Sequence, residues 1–148
     1  HHPTEIKATI GLAKLIIKSK ATHLPKIPKR IIAIFQPHRF SRTKEFLNDF
    51  ALALSVADII LLPPIYGAGE SPINGVTNEA IAKKIKEING NITILTAKNI
   101  NELIKLINLY TVKDDLILNM GAGDINNLWK KFNEESIINT SNNKTINI

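Results

Sequence analysis

Short apolar runs alternate with amphipathic segments along most of the chain. Four runs rich in Ile or Leu are bounded by turn-forming or polar residues, which is typical of buried strands. These predicted strands are 30–35, 58–63, 92–96 and 115–119. Around them, apolar residues recur at helical spacing. This spacing predicts helices over 4–18, from about Thr43 to 57, after Thr77, after Asn99 and over 125–132.

Strands that alternate with helices pair in parallel through right-handed crossovers. The pattern therefore predicts an α/β fold with a Rossmann-like, doubly wound, mainly parallel sheet and helices on both faces. We expect one domain over residues 1–134, with Trp129 and Phe132 in its core. Residues 135–148 are polar and rich in asparagine, and they predict either a loose tail or an edge strand near the end of the chain.

Composition narrows the choice of partners. The 148 residues carry a formal charge of +6, but the lysines are scattered along the predicted helices and aromatic residues make up only 5%. A nucleic-acid interface usually combines a basic stripe with aromatics, so we expect anionic small molecules instead. The chain has no cysteine and no apolar stretch long enough to span a membrane. These features favour a cytoplasmic protein without a membrane partner.

The segment from Gln36 to Thr43 follows the first predicted strand and leads into a helix. It contains His38, Arg39 and Arg42. In open α/β sheets ligands bind beyond the carboxyl ends of the strands, and two guanidiniums can bind a carboxylate or phosphate in bidentate fashion. The alternative is a set of exposed surface cations, but cations at a helix start are unfavourable unless an anion compensates them. We therefore predict an anion-binding site here.

Two glycine turns follow other predicted strands. In the first, 66–70, Glu70 could accept a hydrogen bond from a substrate amine, pair with an arginine of the same cleft, or be a solvated turn residue. Because parallel strands deliver their carboxyl ends to one edge, we expect Glu70 beside Arg39 or Arg42. The second turn, 121–123, lacks a full G-x-G-x-x-G pattern, so close packing explains it as well as a phosphate does.

The remaining candidates are the two histidines that open the sequence, His1 and His2, which could also derive from a purification tag. Together with His23 and His38 they form no metal-ligand spacing, so no metal site is predicted. The sequence contains no Walker-type phosphate loop and no catalytic triad pattern, and no catalytic residue is assigned. By itself the chain lacks a complete catalytic apparatus.

Several of these segments together resemble the carboxy-terminal domain of the Mur ligases, and within that family the branch that adds L-alanine. The resemblance runs in order from residue 1 to about Phe132, and the segment 36–43 is its most specific part. The matching segments are His1–Ile6, Gln36–Thr43, Asp49–Phe50, Tyr66–Glu70 and Gly121–Ile125. A related branch that reattaches recycled peptides shares the histidine-proline opening, but we associate the 36–43 pattern with the alanine-adding branch.

The resemblance implies an ATP-dependent ligase of peptidoglycan precursor synthesis, which joins L-alanine to UDP-N-acetylmuramate through an acyl phosphate. ATP and Mg²⁺ would be held by a central domain, the nucleotide sugar by an amino-terminal domain, and neither cofactor by this domain alone. His38, Arg39 and Arg42 would bind the amino acid, while His1 and His2 would lie near the nucleotide. The family's Asp-Tyr stretch before these histidines is absent from the sequence, which argues against independent ATP binding.

A different class of protein remains open on sequence grounds: a free-standing Rossmann-like module that binds a nucleotide or anionic metabolite without catalysis. A receiver-like signalling domain fits less well, because the first strand has no acidic cluster at its carboxyl end. A P-loop encoded in frame ahead of His1 would select the ligase, whereas a start codon immediately before it would select the module.

Overall fold

The structure is a computed structural model that describes residues 2–19, 27–121, 123–128 and 144–147. Its described elements are α1 (Pro3–Lys18), β1 (Arg30–Gln36), α2 (Phe40–Glu45), α3 (Leu47–Leu54), β2 (Ile59–Leu62), α4 (Asn78–Ile88), β3 (Thr93–Thr96), α5 (Ile100–Tyr110), β4 (Asp115–Gly121), a 3-10 turn (Asp124–Asn127) and β5 (Lys144–Asn147).

The described strands form one parallel sheet in the order β3-β2-β1-β4-β5. In β1 and β4 the register runs from Arg30 opposite Asp115 to Gln36 opposite Gly121. The chain builds outward from β1 in one direction and then crosses back to β4 on its other side. This is the strand order of Rossmann-like sheets, with a topological switch point between β1 and β4.

Helices cover both faces of the sheet and bury two apolar layers. Alternation along β1 shows this directly, because Ile31, Ala33 and Phe35 pack towards one face, while Ile32 and Ile34 pack towards the other. The first layer is completed by α1, α3 and α4, and the second by α5 and the 3-10 turn. The predicted doubly wound α/β fold is confirmed.

The predicted helix from about Thr43 is wrong in its start and in its continuity. The structure begins α2 at Phe40, three residues earlier, and separates it from α3 at Phe46, whose backbone is not helical (φ −104°, ψ 20°). The early start has a long-range cause, because the carboxylate of Glu70 accepts hydrogen bonds from the backbone and side chain of Ser41. The local apolar pattern could not predict this contact, because Ser41 and Glu70 are 29 residues apart in sequence.

At the end of the chain, Lys144–Asn147 forms β5 and pairs in parallel with β4. The edge strand that the tail sequence left open is therefore present, while the domain boundary at 134 stays a prediction. Trp129 and Phe132 lie outside the described residues. Ile125 and Leu128, which precede them, are fully buried in the second layer.

Candidate functional site

Three segments meet at the carboxyl edge of the sheet around the switch point. They follow β1, β2 and β4, and buried Gln36 joins them through its side-chain amide. Its Nε2 donates to the carbonyl of Pro64 at 3.3 Å, and its Oε1 accepts from the backbone N–H of Ile125 at 3.1 Å. A polar side chain at the end of an apolar strand is the signal that could have identified Gln36 from sequence.

His38 is held against Tyr66 by both backbone and rings. The backbone N–H of Tyr66 donates to Pro37 O at 2.9 Å, and the N–H of Arg39 donates to Tyr66 O at 2.8 Å. The two rings stack with centroids 5.7 Å apart. Burial lowers the pKa of His38, and the neighbouring guanidinium of Arg39 lowers it further. The lowered pKa favours the neutral ring of His38, which can both donate and accept a hydrogen bond.

The glycines after β4 allow close packing behind this pair. Gly123 has φ +90°, and a Cβ at this position would lie 2.7 Å from a ring atom of Tyr66. Gly121 lies equally close to Gln36, where a Cβ would approach the side chain to 2.9 Å. Packing thus accounts for both glycines, and a phosphate-binding role for the turn stays a prediction.

Arg39 is exposed and precedes α2 with φ +67° and ψ 138°, a backbone conformation that non-glycine residues rarely adopt. Its backbone is fixed from both sides. The N–H bonds to Tyr66, and the carbonyl accepts from both the N–H and the hydroxyl of Thr43, at 3.1 and 2.8 Å. Residues strained in this way concentrate at ligand sites.

Arg42 is the third residue of the six-residue helix α2, so it also belongs to the last turn, where the helix dipole does not oppose a cation; its side chain is half-buried. Its guanidinium carbon is 5.9 Å from the ring centroid of Phe46, within the range of a cation–π contact. Its Nε is buried, and within the described part of the chain this atom has no hydrogen-bond partner. A buried donor without a partner costs free energy, so an additional acceptor would stabilise it.

Glu70 lies at the same edge of the sheet as the two arginines. Its Oε2 accepts from the backbone N–H of Ser41 at 2.9 Å, and its Oε1 accepts from the Ser41 hydroxyl at 2.7 Å. These bonds lower the pKa of Glu70, with a smaller contribution from Arg39. The placement at one edge is as expected, but the hydrogen bonds go to Ser41 and not to an arginine side chain. The protein thus supplies one anion near the two cations itself.

A family model described as Mur ligase, glutamate ligase domain, matches residues 1–123. The chain belongs to this Mur ligase family. The match includes β1, α2 and the 66–70 turn, and so covers the site residues described above.

Curated relatives within the Mur ligases are closely similar to the chain. A UDP-N-acetylmuramate--L-alanine ligase of Prochlorococcus marinus (strain MIT 9313) is 52% identical over 131 residues, which are 88% of this chain and 27% of the relative. A protein of the same name from Synechococcus sp. (strain CC9311) is 49% identical over 93% of this chain and 28% of the relative. The chain therefore spans little more than a quarter of the length of these relatives.

A solved Mur ligase structure supports the fold. It is a domain described as belonging to a UDP-N-acetylmuramate:L-alanyl-gamma-D-glutamyl-medo-diaminopimelate ligase of Haemophilus ducreyi 35000HP. The TM-score is 0.55 at 21% sequence identity, with 88% of this chain and 80% of that chain covered. At this identity the likeness describes the fold alone.

The histidine-proline opening of this Mur ligase domain begins α1. His1 lies outside the described residues. His2 is the N-cap of α1, where its ring accepts from the N–H of Thr4 and Glu5 bonds back to the N–H of His2 at 2.9 Å. The His2 ring also contacts Phe46 edge to face, with centroids 5.0 Å apart. A nucleotide-proximal role for His1 and His2 stays a prediction.

Phe46 therefore contacts both His2 and Arg42, a connection that the sequence analysis missed. Among the described residues of this Mur ligase domain, no group of three or more His, Cys, Asp or Glu side chains could hold a metal ion. No described helix is long and apolar enough to cross a membrane.

Proposed function

We propose that this chain is the carboxy-terminal domain of an ATP-dependent ligase that joins L-alanine to UDP-N-acetylmuramate in the cytoplasm. The identity of about half of its residues with ligases of that name supports the substrate assignment. The observation that carries the role of this domain is the pair of cations at the switch point, Arg39 and Arg42, which have no carboxylate partner among the described residues.

The proposed reaction has two steps. The carboxylate of UDP-N-acetylmuramate attacks the γ-phosphoryl group of ATP, which forms an acyl phosphate and releases ADP. The amine nitrogen of L-alanine then attacks the acyl carbon, a C–N bond forms, the C–O bond to phosphate breaks, and the amine loses a proton. ATP, Mg²⁺ and the nucleotide sugar are bound by the central and amino-terminal domains that the family resemblance implies.

In this scheme the described residues orient the amino acid. Arg39 and Arg42 bind the alanine carboxylate through charge-assisted hydrogen bonds. Neutral His38, fixed by stacking on Tyr66, forms the wall of the pocket beside them without adding a third charge. Holding the carboxylate leaves the amine free to face the acyl phosphate, which lowers the entropic cost of the attack.

The test is phosphate release by the full-length protein that carries this domain. We expect release that requires UDP-N-acetylmuramate, ATP and L-alanine together, and none from the 148-residue chain alone, which should still unfold cooperatively. A full-length protein without alanine-dependent release would contradict the proposal. Turnover by the isolated chain would contradict the assignment of ATP and UDP-N-acetylmuramate binding to other domains.

A further inference from the structure

Glu70 and Ser41 form a two-point polar contact at the carboxyl edge of the sheet. The two carboxylate oxygens of Glu70 accept separate hydrogen bonds, one from the backbone and one from the hydroxyl of Ser41. The contact spans 29 residues of sequence and connects the loop after β2 to the first turn of α2. The side chain of Glu70 therefore connects the loop directly to the helix, in addition to the backbone bonds that join Tyr66 to Pro37 and Arg39.

The turn that carries Glu70 is shaped for this contact. Ala68 and Gly69 both have positive φ, 51° and 88°, and the N–H of Glu70 closes the turn on Gly67 O at 3.0 Å. Gly67 packs against the ring of Phe40, where a Cβ would lie 2.9 Å from Cε2. A longer side chain at 67 would push the turn off α2. Packing against Phe40 and hydrogen bonding to Ser41 thus both hold this turn against the start of α2.

Ser41 lies between the two arginines in sequence. Arg39 lies two residues before Ser41, and its carbonyl accepts from the N–H and the hydroxyl of Thr43. Arg42 directly follows Ser41. Fixing the backbone of Ser41 therefore holds the point from which Arg42 extends, and it supports the position of Arg39, whose backbone is also bonded to Tyr66 and Thr43. A shift of this turn would move the two guanidiniums together, away from any anion that they bind in bidentate fashion.

We propose that Glu70 is a positioning residue for amino-acid binding, which acts through Ser41 to place Arg39 and Arg42, and that it does not contact the substrate amine. This inference rests on the proposed function of the domain. The variant Glu70→Gln separates the two roles. Its side-chain amide could accept from the Ser41 N–H and donate to the Ser41 hydroxyl, which preserves the contact without the charge. An acceptor for a charged amine would lose its charge–charge attraction in the same variant.

The experiment uses the full-length ligase with the variants Glu70→Ala, Glu70→Gln, Ser41→Ala and the double alanine variant, and measures kcat and the KM of each substrate. We expect Glu70→Ala to raise the alanine KM about tenfold, with the KM of ATP and of UDP-N-acetylmuramate unchanged. The alanine KM of Glu70→Gln should stay within about threefold of the wild-type value. The alanine KM of Ser41→Ala should lie between those of Glu70→Gln and Glu70→Ala. The alanine KM of the double variant should be no higher than that of Glu70→Ala, because both substitutions break the same hydrogen-bonded contact. Glu45→Ala, an exposed acid on the same helix, is the matched control and should leave alanine kinetics unchanged.

Three outcomes would overturn the inference while wild-type activity supports the proposed function. They are an unchanged alanine KM in Glu70→Ala, a Glu70→Gln variant as impaired as Glu70→Ala, and multiplicative effects in the double variant. If Glu70→Ala does not fold, Glu70→Gln and Ser41→Ala decide by the same criteria. A wild-type ligase without alanine-dependent phosphate release would instead refute the proposed function, and the inference would fall with it.

Discussion

The strand pair β1–β4 carries arginines at both ends, and their surroundings differ. At the amino end, Arg30 faces Asp115 in register and binds it in bidentate fashion, with Nε to Oδ1 at 2.9 Å and Nη2 to Oδ2 at 2.8 Å. Nη2 also donates to the carbonyl of Tyr110 at 3.2 Å, and the buried carboxylate accepts from the N–H of Val112 at 2.8 Å. The bonds to Asp115 raise the pKa of Arg30.

At the carboxyl end, the described residues provide no such partner. The Nε of Arg42 is buried and unpaired, and Arg39 is exposed on a strained backbone. The nearby carboxylate, Glu70, has its oxygens bonded to Ser41. Glu70 therefore supplies an anion beside the start of α2, but the guanidinium groups of the two arginines have no hydrogen-bond acceptor among the described residues.

This contrast separates an arginine that serves the fold from two arginines that, in the proposed function, bind the amino acid. Arg30 has its charge and geometry satisfied by one carboxylate, so removing either partner leaves the other uncompensated. Arg42 costs the fold the desolvation of its buried Nε without receiving a bidentate partner among the described residues, and exposed Arg39 has no such partner either. Such a cost is retained where a ligand offsets it on binding.

The largest effect on stability should come from the paired end. We expect Arg30→Ala to lower the free energy of unfolding of the chain by about 2–3 kcal/mol, because it leaves the Asp115 carboxylate buried without its cation. This is below the cost for a fully buried pair, since the Arg30 side chain is 37% exposed whereas Asp115 is only 1% exposed. Denaturant unfolding measures it, with Arg42→Ala as the matched control. Equal losses in the free energy of unfolding of the two variants would contradict the difference between the two ends of the strand pair.

At the unpaired end the effect should appear in substrate use. In the full-length ligase, Arg42→Ala should lower kcat/KM for alanine by about thirtyfold, the equivalent of about 2 kcal/mol for one lost charge-assisted contact. Arg42→Lys should restore only part of this loss, because an ammonium keeps the charge but not the planar fork. Steady-state kinetics with varied alanine measure both. Unchanged alanine kinetics with a lower melting temperature would make Arg42 a structural residue.

A substitution at Gly123 tests whether the backbone beside Tyr66 requires glycine. We expect Gly123→Ala to destabilise the chain by about 1–2 kcal/mol, because the positive φ is strained for alanine and its Cβ would clash with Tyr66. Gly11→Ala is the matched control, since no atom lies within 4 Å of a Cβ there and alanine favours the helix by about 1 kcal/mol. Thermal unfolding of both variants measures the difference, and equal shifts of the two melting temperatures would contradict it.

The smallest effect concerns pH. Hydrogen bonds from Ser41 lower the pKa of Glu70 below its ordinary value of 4.5, so its contribution to stability is complete above that value and is lost as the pH falls through the lowered pKa. Glu70→Gln should remove this part of the acid sensitivity of the chain. Melting temperatures at pH 7 and in the acid range measure it. A variant with the same acid sensitivity as wild type would argue that the contact between Glu70 and Ser41 is not formed in solution.

Local sequence predicted most of the fold. Isoleucine-rich runs gave β1, β2 and β4 to within a residue or two, and Thr77 and Asn99 cap α4 and α5 as expected. The spacing of Asn99 and Glu102 resembles a capping box, but only half of it forms, because Glu102 accepts from the N–H of Lys98 at 2.6 Å and not from that of Asn99. The strand order was not predicted, because it depends on contacts between distant residues.

The site could be predicted only in part, for the same reason. The motif at 36–43 located the edge of the sheet and its charged residues. The Gln36 amide, the Ser41 contact of Glu70 and the Phe46 ring between His2 and Arg42 all depend on residues that are near only after folding. The break at Phe46 was missed because the apolar spacing 46, 50 and 54 continues across it.

The most direct test of the contrast is the response of individual arginine side chains to alanine. Nitrogen–proton correlation spectra of the Nε–H groups can be recorded on the full-length ligase with UDP-N-acetylmuramate and a non-hydrolysable ATP analogue, and assigned with Arg→Lys variants. On addition of L-alanine, the Nε–H resonance of Arg42 should shift as its unpaired donor gains an acceptor, while that of Arg30 should stay in place. An Arg42 resonance that does not move at saturating alanine would contradict the account.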